Sequence, residues 1–349
     1  MKQKSYLCKP LPKPHVADRQ VCVSKIYPNQ GDSVIRKSSK TATYYDVVAN
    51  LKEIRTRIET VQSTGQITTA MRMVSASKLR KAQQAFSTVQ PYSDALLDVS
   101  QEIYAILNQE EQTAISNFKS NQCNKKELEQ VLLVVFSSNK GLCGAFNTNV
   151  FKYTSELIKT SYQQHLKEGK LHIITIGKKA CEIFERQKFP VVSCHHDLLN
   201  DLDYKDVFSM SEHMFDMYKS GFYQKIILIY NKFKSVLTQE LTAVQFLPVL
   251  PPPLQEKVRR SPVDFILEPN KESVVEWLYP KMLEILLYRT FLESMASEEG
   301  ARMMAMQQAS DNAAVLLKEL KLSYNKARQA AITNDLLEII AGAEALKNY

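Results

Sequence analysis

The feature that most constrains this chain is a helical pattern from Glu272 to about Leu346, in which Pro280 is the one internal proline. Apolar and small residues recur there at steps of three, four or seven positions, which predicts a narrow seam instead of a broad core-facing face. The seam residues are Leu292, Met295, Ala296, Met303, Met306, Ala309, Ala313, Leu317, Leu320, Tyr324, Ala327, Ala331, Leu337 and Ile340. At about 1.5 Å per residue this helix is on the order of 100 Å long. A domain of this size cannot bury it, so we expect it to pair with another long helix, with partner subunits, or with both.

Small residues in the first half of the seam predict that this pairing is close. They are Ala296, Ala301, Ala305, Ala309 and Ala313.

A second helical pattern near the start of the chain is the natural partner. Val47, Leu51, Ile54, Ile58 and Val61 follow a three-four heptad step, which is typical of a coiled coil. The helix is predicted from Tyr45 to Gln90, Pro91 is expected to end or kink it, and a further helical piece is expected from Ser93 to Leu107. Its basic residues indicate either a solvated face or a cationic track toward an acidic partner. They are Lys52, Arg55, Arg57, Arg72, Lys78, Arg80 and Lys81.

The middle of the chain is predicted to alternate strands and helices. Short apolar runs rich in β-branched residues indicate buried strands at Val131–Phe136, Leu171–Ile176, Val191–Cys194 and Lys225–Tyr230. Helical stretches lie between them at about 147–166, 178–187 and 204–219, and Ser235–Phe246 is expected to add a more exposed strand. Such alternation predicts a mainly parallel sheet with helices on its faces.

The predicted fold is therefore α/β, with a long antiparallel coiled coil of the N- and C-terminal helices and an inserted Rossmann-like α/β domain. The corresponding segments are a disordered leader or transit-like extension at 1–43, the N-terminal helix at 44–108, the α/β domain at 109–270 and the C-terminal helix at 271–349. Prolines at 248 and 251–253 mark the boundary before the last segment.

Charge and cysteine content exclude some classes of protein. The net charge is +8, but residues 1–43 hold nine Lys and Arg against two Asp, so they carry +7 and the remainder only about +1. A basic body that binds nucleic acid is therefore not indicated. No apolar run approaches the roughly 20 residues of a membrane span. Without a secretion signal or metal-type spacing, the cysteines are expected to be reduced thiols and not disulfides. They are Cys8, Cys22, Cys123, Cys143, Cys181 and Cys194.

No motif predicts a catalytic, cofactor or metal site. The loop with Gly141, Leu142, Cys143 and Gly144 follows the first strand, where doubly wound sheets place ligand loops. It lacks the spacing of a P-loop and of the dinucleotide fingerprint, so a structural turn is favoured over a phosphate cradle. The run Cys194–Asp197 contains adjacent histidines, which point to opposite faces of an extended segment and make a poor pair of ligands.

The helical ends and this loop resemble the gamma subunit of F-type ATP synthases. Residues 50–58 (NLKEIRTRI) and 66–83 (QITTAMRMVSASKLRKAQ) resemble the family's opening helix, and 141–147 (GLCGAFN) resembles its central-domain motif. Residues 298–345 resemble the closing helix, including 320–333 (LKLSYNKARQAAIT), Asp335 and Gly342-Ala343.

The resemblance implies a non-catalytic central-stalk rotor without a cofactor. Its partners would be the alpha and beta subunits, the epsilon subunit and the membrane ring of c subunits, with one copy in each complex. The side chains implied to contact the alpha/beta ring are Met71, Arg72, Lys78, Arg80, Lys81, Arg302, Gln329, Thr333 and Asp335. The implied location is peripheral, on the cytoplasmic side of a bacterial plasma membrane or, alternatively, on the matrix side of the mitochondrial inner membrane.

Three positions depart from the family pattern. Asp335 stands where the family usually has Glu, Gly65 where it commonly has Gln, and Val48 where bacterial members begin with Met. The first shortens a contacting carboxylate by one methylene group, the second is expected to soften the shaft, and the third suggests an alternative start or a leader.

Overall fold

The structure, a computed structural model, describes residues 39–106, 129–199, 202–248, 268 and 270–347. Its helices are α1 (Ser39–Ile106), α2 (Phe146–Ser161), α3 (Gln163–Lys167), α4 (Lys178–Arg186), α5 (Tyr204–Lys219) and α6 (Lys271–Lys347), with a 3₁₀ turn at Asp197–Leu199. Its strands are β1 (Val131–Phe136), β2 (Leu171–Ile176), β3 (Val191–His195), β4 (Lys225–Phe233) and β5 (Gln239–Leu247). Residues 1–38 of the predicted leader at 1–43 lie outside the described residues. The prolines at 251–253, which mark a predicted domain boundary, lie outside them as well.

The five strands form one sheet in the order β3-β2-β1-β4-β5. β1, β2, β3 and β4 run parallel to one another, whereas β5 runs antiparallel to β4. The chain thus builds outward from β1 to β3, crosses back to place β4 on the other side of β1, and closes with a hairpin. This arrangement confirms the predicted α/β class with an added edge strand.

Both faces of the sheet are covered because alternate residues of β1 point to opposite sides. Leu132, Val134 and Phe136 pack in one cluster with residues of α5 and α6. Val131, Leu133 and Val135 pack in a second cluster with residues of α2 and α4. The domain therefore has three layers, and the outer layer on one face includes the base of the long helix α6. Leu283, Leu287 and Phe291 make that contact.

Helices α1 and α6 pair antiparallel along their length. Thr68 Oγ1 lies 2.8 Å from Ser310 Oγ. Further along α1, Asp94 accepts a hydrogen bond from Arg289 at 2.8 Å. Toward its end, Ile103 packs against Leu278. The α6 partner moves to lower numbers as α1 advances, which confirms the predicted coiled coil.

Pro91 was expected to end or kink the first helix, and it does not end it, because α1 continues through it to Ile106. The reason is tertiary packing on both sides of the proline. The guanidinium of Arg289 lies 5.6 Å from the Phe86 ring and also bonds Asp94, while Ser93 is buried. These contacts with α6 stabilise the helix on both sides of the missing N–H donor.

The expectation of reduced thiols was wrong for two cysteines. Cys181 on α4 and Cys194 on β3 form a disulfide with a Cα–Cα distance of 6.1 Å. The pairing was invisible in the sequence because it depends on α4 packing beside the edge strand. Cys143 is a free, buried cysteine.

Neither long helix holds a described segment apolar and long enough to cross a membrane.

Gly65→Ala is expected to raise the free energy of unfolding by about 1 kcal/mol, because alanine restricts the unfolded chain and favours the helix. A Cβ atom at this position would lie 3.6 Å from Ala313 Cβ, which is an ordinary van der Waals contact. Urea unfolding of the full chain measures the change. Gly342→Ala is the control without an interhelical neighbour, since its Cβ would meet nothing within 4 Å. A loss of stability in Gly65→Ala would mean that the helices approach more closely here than the structure has them.

Candidate functional site

The loop after β1 is closed by the side chain of Asn147. Its Oδ1 accepts a hydrogen bond from Ser138 N at 3.1 Å, and its Nδ2 donates to Ser138 Oγ at 2.7 Å. Leu142 and Gly144 adopt positive φ angles of 64° and 61°, so the chain turns tightly between them. Leu142 is 61% exposed, whereas Cys143 is buried. The loop therefore presents one apolar side chain to the outside and satisfies much of its polarity internally.

The ends of β1, β2 and β3 are held together by Asn139. Its Nδ2 donates to His196 O at 2.7 Å and its Oδ1 accepts from Lys178 N at 3.1 Å. The next loop approaches closely as well, since a Cβ at Gly177 would clash with the backbone oxygen of Ser137. These contacts hold the loops that follow β1, β2 and β3 close together.

The crevice between β1 and β4, where the strand order reverses, is covered by α6. Doubly wound sheets bind nucleotides at such a switch point. Here the Phe291 ring packs edge-on against Phe136 with centroids 4.9 Å apart. Further along α6, Ser297 Oγ donates to Asn231 O at 2.8 Å. The long helix itself thus packs against β1 and β4 near this switch point.

A buried charge cluster joins the loop to the shaft. Arg302 donates to Glu298 at 2.6 Å, pairs with Glu299 at 2.8 Å and donates to Lys140 O at 3.2 Å. The Arg302 side chain is 12% exposed and that of Glu298 is 13% exposed. Burial raises the pKa of Glu298 to about 7, and the charge of Glu299 adds to this, while Arg302 and Lys78 act in the opposite direction. Two separate sequence predictions, Arg302 and the Gly141–Gly144 loop, therefore meet in space.

On α1 the predicted partner-contact residues divide into two groups. Met71 is 41% exposed, and Lys78, Arg80 and Lys81 are exposed as well. Arg72 is half-buried and donates to the side chain of Gln307 on α6. The four exposed side chains are open to solvent, whereas Arg72 contributes to the pairing of the two helices.

The far end of α6 carries polar and apolar residues on its outside. Gln329 and Thr333 are exposed, and Thr333 Oγ1 donates to Gln329 O at 2.9 Å. Asp335 is half-buried, and its Oδ1 is buried without a hydrogen-bond partner among the described residues. Large apolar side chains stand exposed around them, which is costly in water and typical of an interface. They are Ile332, Leu336, Leu337, Ile339, Ile340 and Leu346.

Sequence reasoning missed the carboxylates that hold Arg302. Glu298 and Glu299 lie four and three residues before it, which is the spacing of helical ion pairs and could have pointed to them. The third partner, Lys140 O, lies far away in sequence and could not have been predicted.

Comparison with known proteins decides the family. A family model described as ATP synthase matches residues 50–346. The chain is 46% identical over 301 residues to the ATP synthase gamma chain of Flavobacterium johnsoniae, and the match covers 86% of this chain and 99% of that relative. The chain belongs to the ATP synthase gamma chain family.

Other gamma chains and solved structures agree. The gamma chain of Christiangramia forsetii is 42% identical over 299 residues, covering 86% of this chain and 99% of the relative. A chain of the Euglena gracilis mitochondrial ATP synthase, in a structure of its OSCP, F1 and c-ring, superposes with a TM-score of 0.57 at 21% identity. That match covers 85% of this chain and 95% of the other, and at this identity it shows the shared fold.

Glu298→Gln is expected to remove a pH dependence of stability. The folded chain keeps a proton on Glu298 up to a pKa of about 7, whereas the unfolded chain releases it near 4.5. The free energy of unfolding contributed by this group therefore falls as the pH rises from 4.5 to 7, by roughly 3 kcal/mol. Urea unfolding at pH 5 and pH 8 measures this change in the free energy of unfolding for the wild-type chain and for Glu298→Gln.

The control is Glu59→Gln, because Glu59 makes an exposed ion pair with Arg55 at 3.4 Å. We expect the free energy of unfolding of this variant to change with pH as it does in the wild type. Equal slopes in wild type and Glu298→Gln would contradict the buried, protonated carboxyl.

Proposed function

We propose that this chain is the central-stalk rotor subunit of an F-type ATP synthase and transmits rotation between a proton-driven membrane ring and the catalytic alpha/beta hexamer during ATP synthesis. The observation that carries the proposal is the antiparallel α1–α6 pair, which is anchored in the α/β domain at one end and exposes apolar residues at the other. A second solved structure with this fold, at a TM-score of 0.53 and 19% identity, is described as the rotor of the Euglena gracilis enzyme.

The two ends of the shaft are assigned different contacts. Met71, Lys78, Arg80 and Lys81 would face acidic loops of the catalytic subunits, because exposed basic side chains attract carboxylates across an interface. The C-terminal surface with Gln329, Thr333, Asp335 and the exposed apolar residues would lie inside the alpha/beta ring. Exposure of those apolar side chains to water is unfavourable in the free chain, so burying them against a partner would favour assembly.

Arg302 was expected to contact the same ring, and its geometry suggests a supporting role. It is largely buried and fixes Glu298, Glu299 and the Lys140 carbonyl at the junction of shaft and domain. The α/β domain below this junction would rest on the epsilon subunit and on the ring of c subunits.

Rotation can be coupled to catalysis only through differential contacts. A shaft built of two unlike helices presents a different surface in each direction, so each of the catalytic sites meets a different face at a given angle. A ligand or a surface shifts an equilibrium only by its difference in affinity for the two states. The unequal faces of α1 and α6 would provide that difference.

The subunit itself would be non-catalytic and peripheral to the membrane. This is supported by the helix α6 lying across the switch point and by the internal hydrogen bonds of the loop after β1. Equilibrium dialysis of the isolated chain with a nucleoside triphosphate is expected to show no saturable binding. Saturable binding would favour the alternative of a nucleotide-binding α/β enzyme with a helical oligomerisation arm.

Purification of the native chain from its source under mild conditions is expected to retain ATP synthase alpha and beta subunits together with epsilon and c subunits. Mass spectrometry of the purified assembly identifies them. A chain recovered alone or with unrelated proteins would refute the proposed rotor.

Met71→Lys in the assembled complex is expected to uncouple ATP hydrolysis from proton pumping, because an added cation at this 41% exposed position changes the contact with the catalytic subunits. ATP-driven quenching of a pH-sensitive dye in vesicles, divided by the rate of hydrolysis, measures the coupling. Met71→Leu keeps an apolar side chain of similar volume and is expected to pump normally. Pumping of Met71→Lys at the wild-type ratio would contradict the assignment of Met71 to this contact.

A further inference from the structure

A carboxylate lies beside the disulfide at the outer edge of the sheet. The role of the disulfide in linking α4 to β3 does not explain why the carboxylate is there. Oε1 of Glu185 lies 3.3 Å from Cys181 Sγ and 4.0 Å from Cys194 Sγ. A disulfide has no S–H to donate, so the carboxylate oxygen gains nothing from either sulfur in this state. The three donor atoms lie within 4.8 Å of one another.

Glu185 also makes no ion pair within the part of the chain that the structure describes. Among the ion pairs of the described residues, the neighbouring Glu182 binds Lys179 at 2.8 Å and Lys178 at 4.0 Å, but none includes Glu185. The two lysines at the start of α4 are thus directed to the other carboxylate. Glu185 faces the sulfurs without an ion-pair partner among residues 39–106, 129–199, 202–248 and 270–347.

The donor set has a clear chemical preference. Two thiolates and one carboxylate suit a borderline-soft divalent cation such as Zn²⁺, whereas hard cations prefer oxygen alone. Cys181 and Glu185 are one helical turn apart on α4, and Cys194 faces them from β3. Thr175 Oγ1 donates a hydrogen bond to Cys194 Sγ at 3.2 Å, which stabilises a thiolate there and orients it.

We propose that Cys181, Cys194 and Glu185 form a redox-gated site for a zinc-class divalent cation. In the disulfide state the sulfurs are bonded to each other and the site is closed. A dithiol reductant transfers two electrons and two protons to the disulfide, which becomes two thiols, while the dithiol becomes a disulfide. The cation then replaces the two thiol protons, which pass to solvent, and takes Glu185 as its third ligand and water as its fourth.

The geometry requires little movement for this exchange. Two sulfurs on one tetrahedral zinc lie about 3.8 Å apart. With the two Cα atoms 6.1 Å apart, rotation of the cysteine side chains reaches that separation while the backbone stays in place. Either state links α4 to the edge strand β3, by a covalent bond or by the cation, so the linkage persists through a change of redox conditions. The inference is independent of the proposed rotor function.

Cadmium is a suitable probe for the site, because thiolate ligation of Cd²⁺ produces an ultraviolet charge-transfer band. The full chain, reduced with a phosphine that does not compete for metal, is titrated with Cd²⁺ and then with Zn²⁺ as competitor. We expect the reduced chain to bind one cation here with a thiolate band, and the oxidised chain to lack that component. Binding of equal strength by the oxidised chain would overturn the gating, and no binding by the reduced chain would overturn the site.

Matched variants identify the ligands. Cys194→Ser is expected to abolish the thiolate band of this site. Glu185→Gln is expected to weaken metal affinity by about tenfold or more, because the loss of a residue that only orients a metal ligand already weakens affinity by that factor. Glu182→Gln and Cys143→Ser are the controls, because Glu182 is bound by lysines and Cys143 is buried in the loop after β1. Wild-type binding in Cys194→Ser would place the metal elsewhere in the chain, and wild-type affinity in Glu185→Gln would remove the carboxylate from the site.

Discussion

The packing of the base of α6 against the sheet is the contact on which the rest of the molecule depends. Leu283, Leu287 and Phe291 are fully buried there, and burial contributes about 1.5–3 kcal/mol for each such side chain. The partly exposed ion pair between Asp94 and Arg289 contributes at most about 1 kcal/mol. Apolar packing therefore fixes the shaft to the domain. Because the same helix continues without a break into the coiled coil, a force on the domain reaches the far end through one continuous backbone.

The upper shaft is held by a different kind of contact. Around Gly65 and Ala313 the side chains are too small to bury much apolar area, and hydroxyl groups such as Thr68 and Ser310 bond across the interface. Small residues bring the helices close and keep the seam narrow, so most of each helix remains available to other subunits. Between the two regions, Arg302 gathers two carboxylates and the Lys140 carbonyl, which ties the loop after β1 to the shaft.

Local pattern was sufficient for the strands and helices of the middle domain, because uninterrupted β-branched runs and amphipathic stretches are local properties. It failed where a distant contact overrides local preference. Pro91 was expected to end or kink α1, yet the helix continues through it where it packs on α6. The disulfide between Cys181 and Cys194 required knowledge of which helix lies beside the edge strand. Leu337 and Ile340 have seam spacing but are 59% and 54% exposed, since spacing alone does not say what covers a residue.

The sequence alone determined four features, because each is encoded in periodicity or in contiguous motifs. They are the two long helices, their antiparallel pairing, the α/β insertion and the family. The tertiary structure decided that α6 is at once a layer of the domain and half of the shaft, and that this helix covers the crevice where such sheets bind nucleotides. It also decided the partners of Arg302 and the position of Glu185 beside the disulfide sulfurs. These outcomes depend on residues brought together from distant parts of the chain, and such proximity is a property of the folded chain that no local pattern contains.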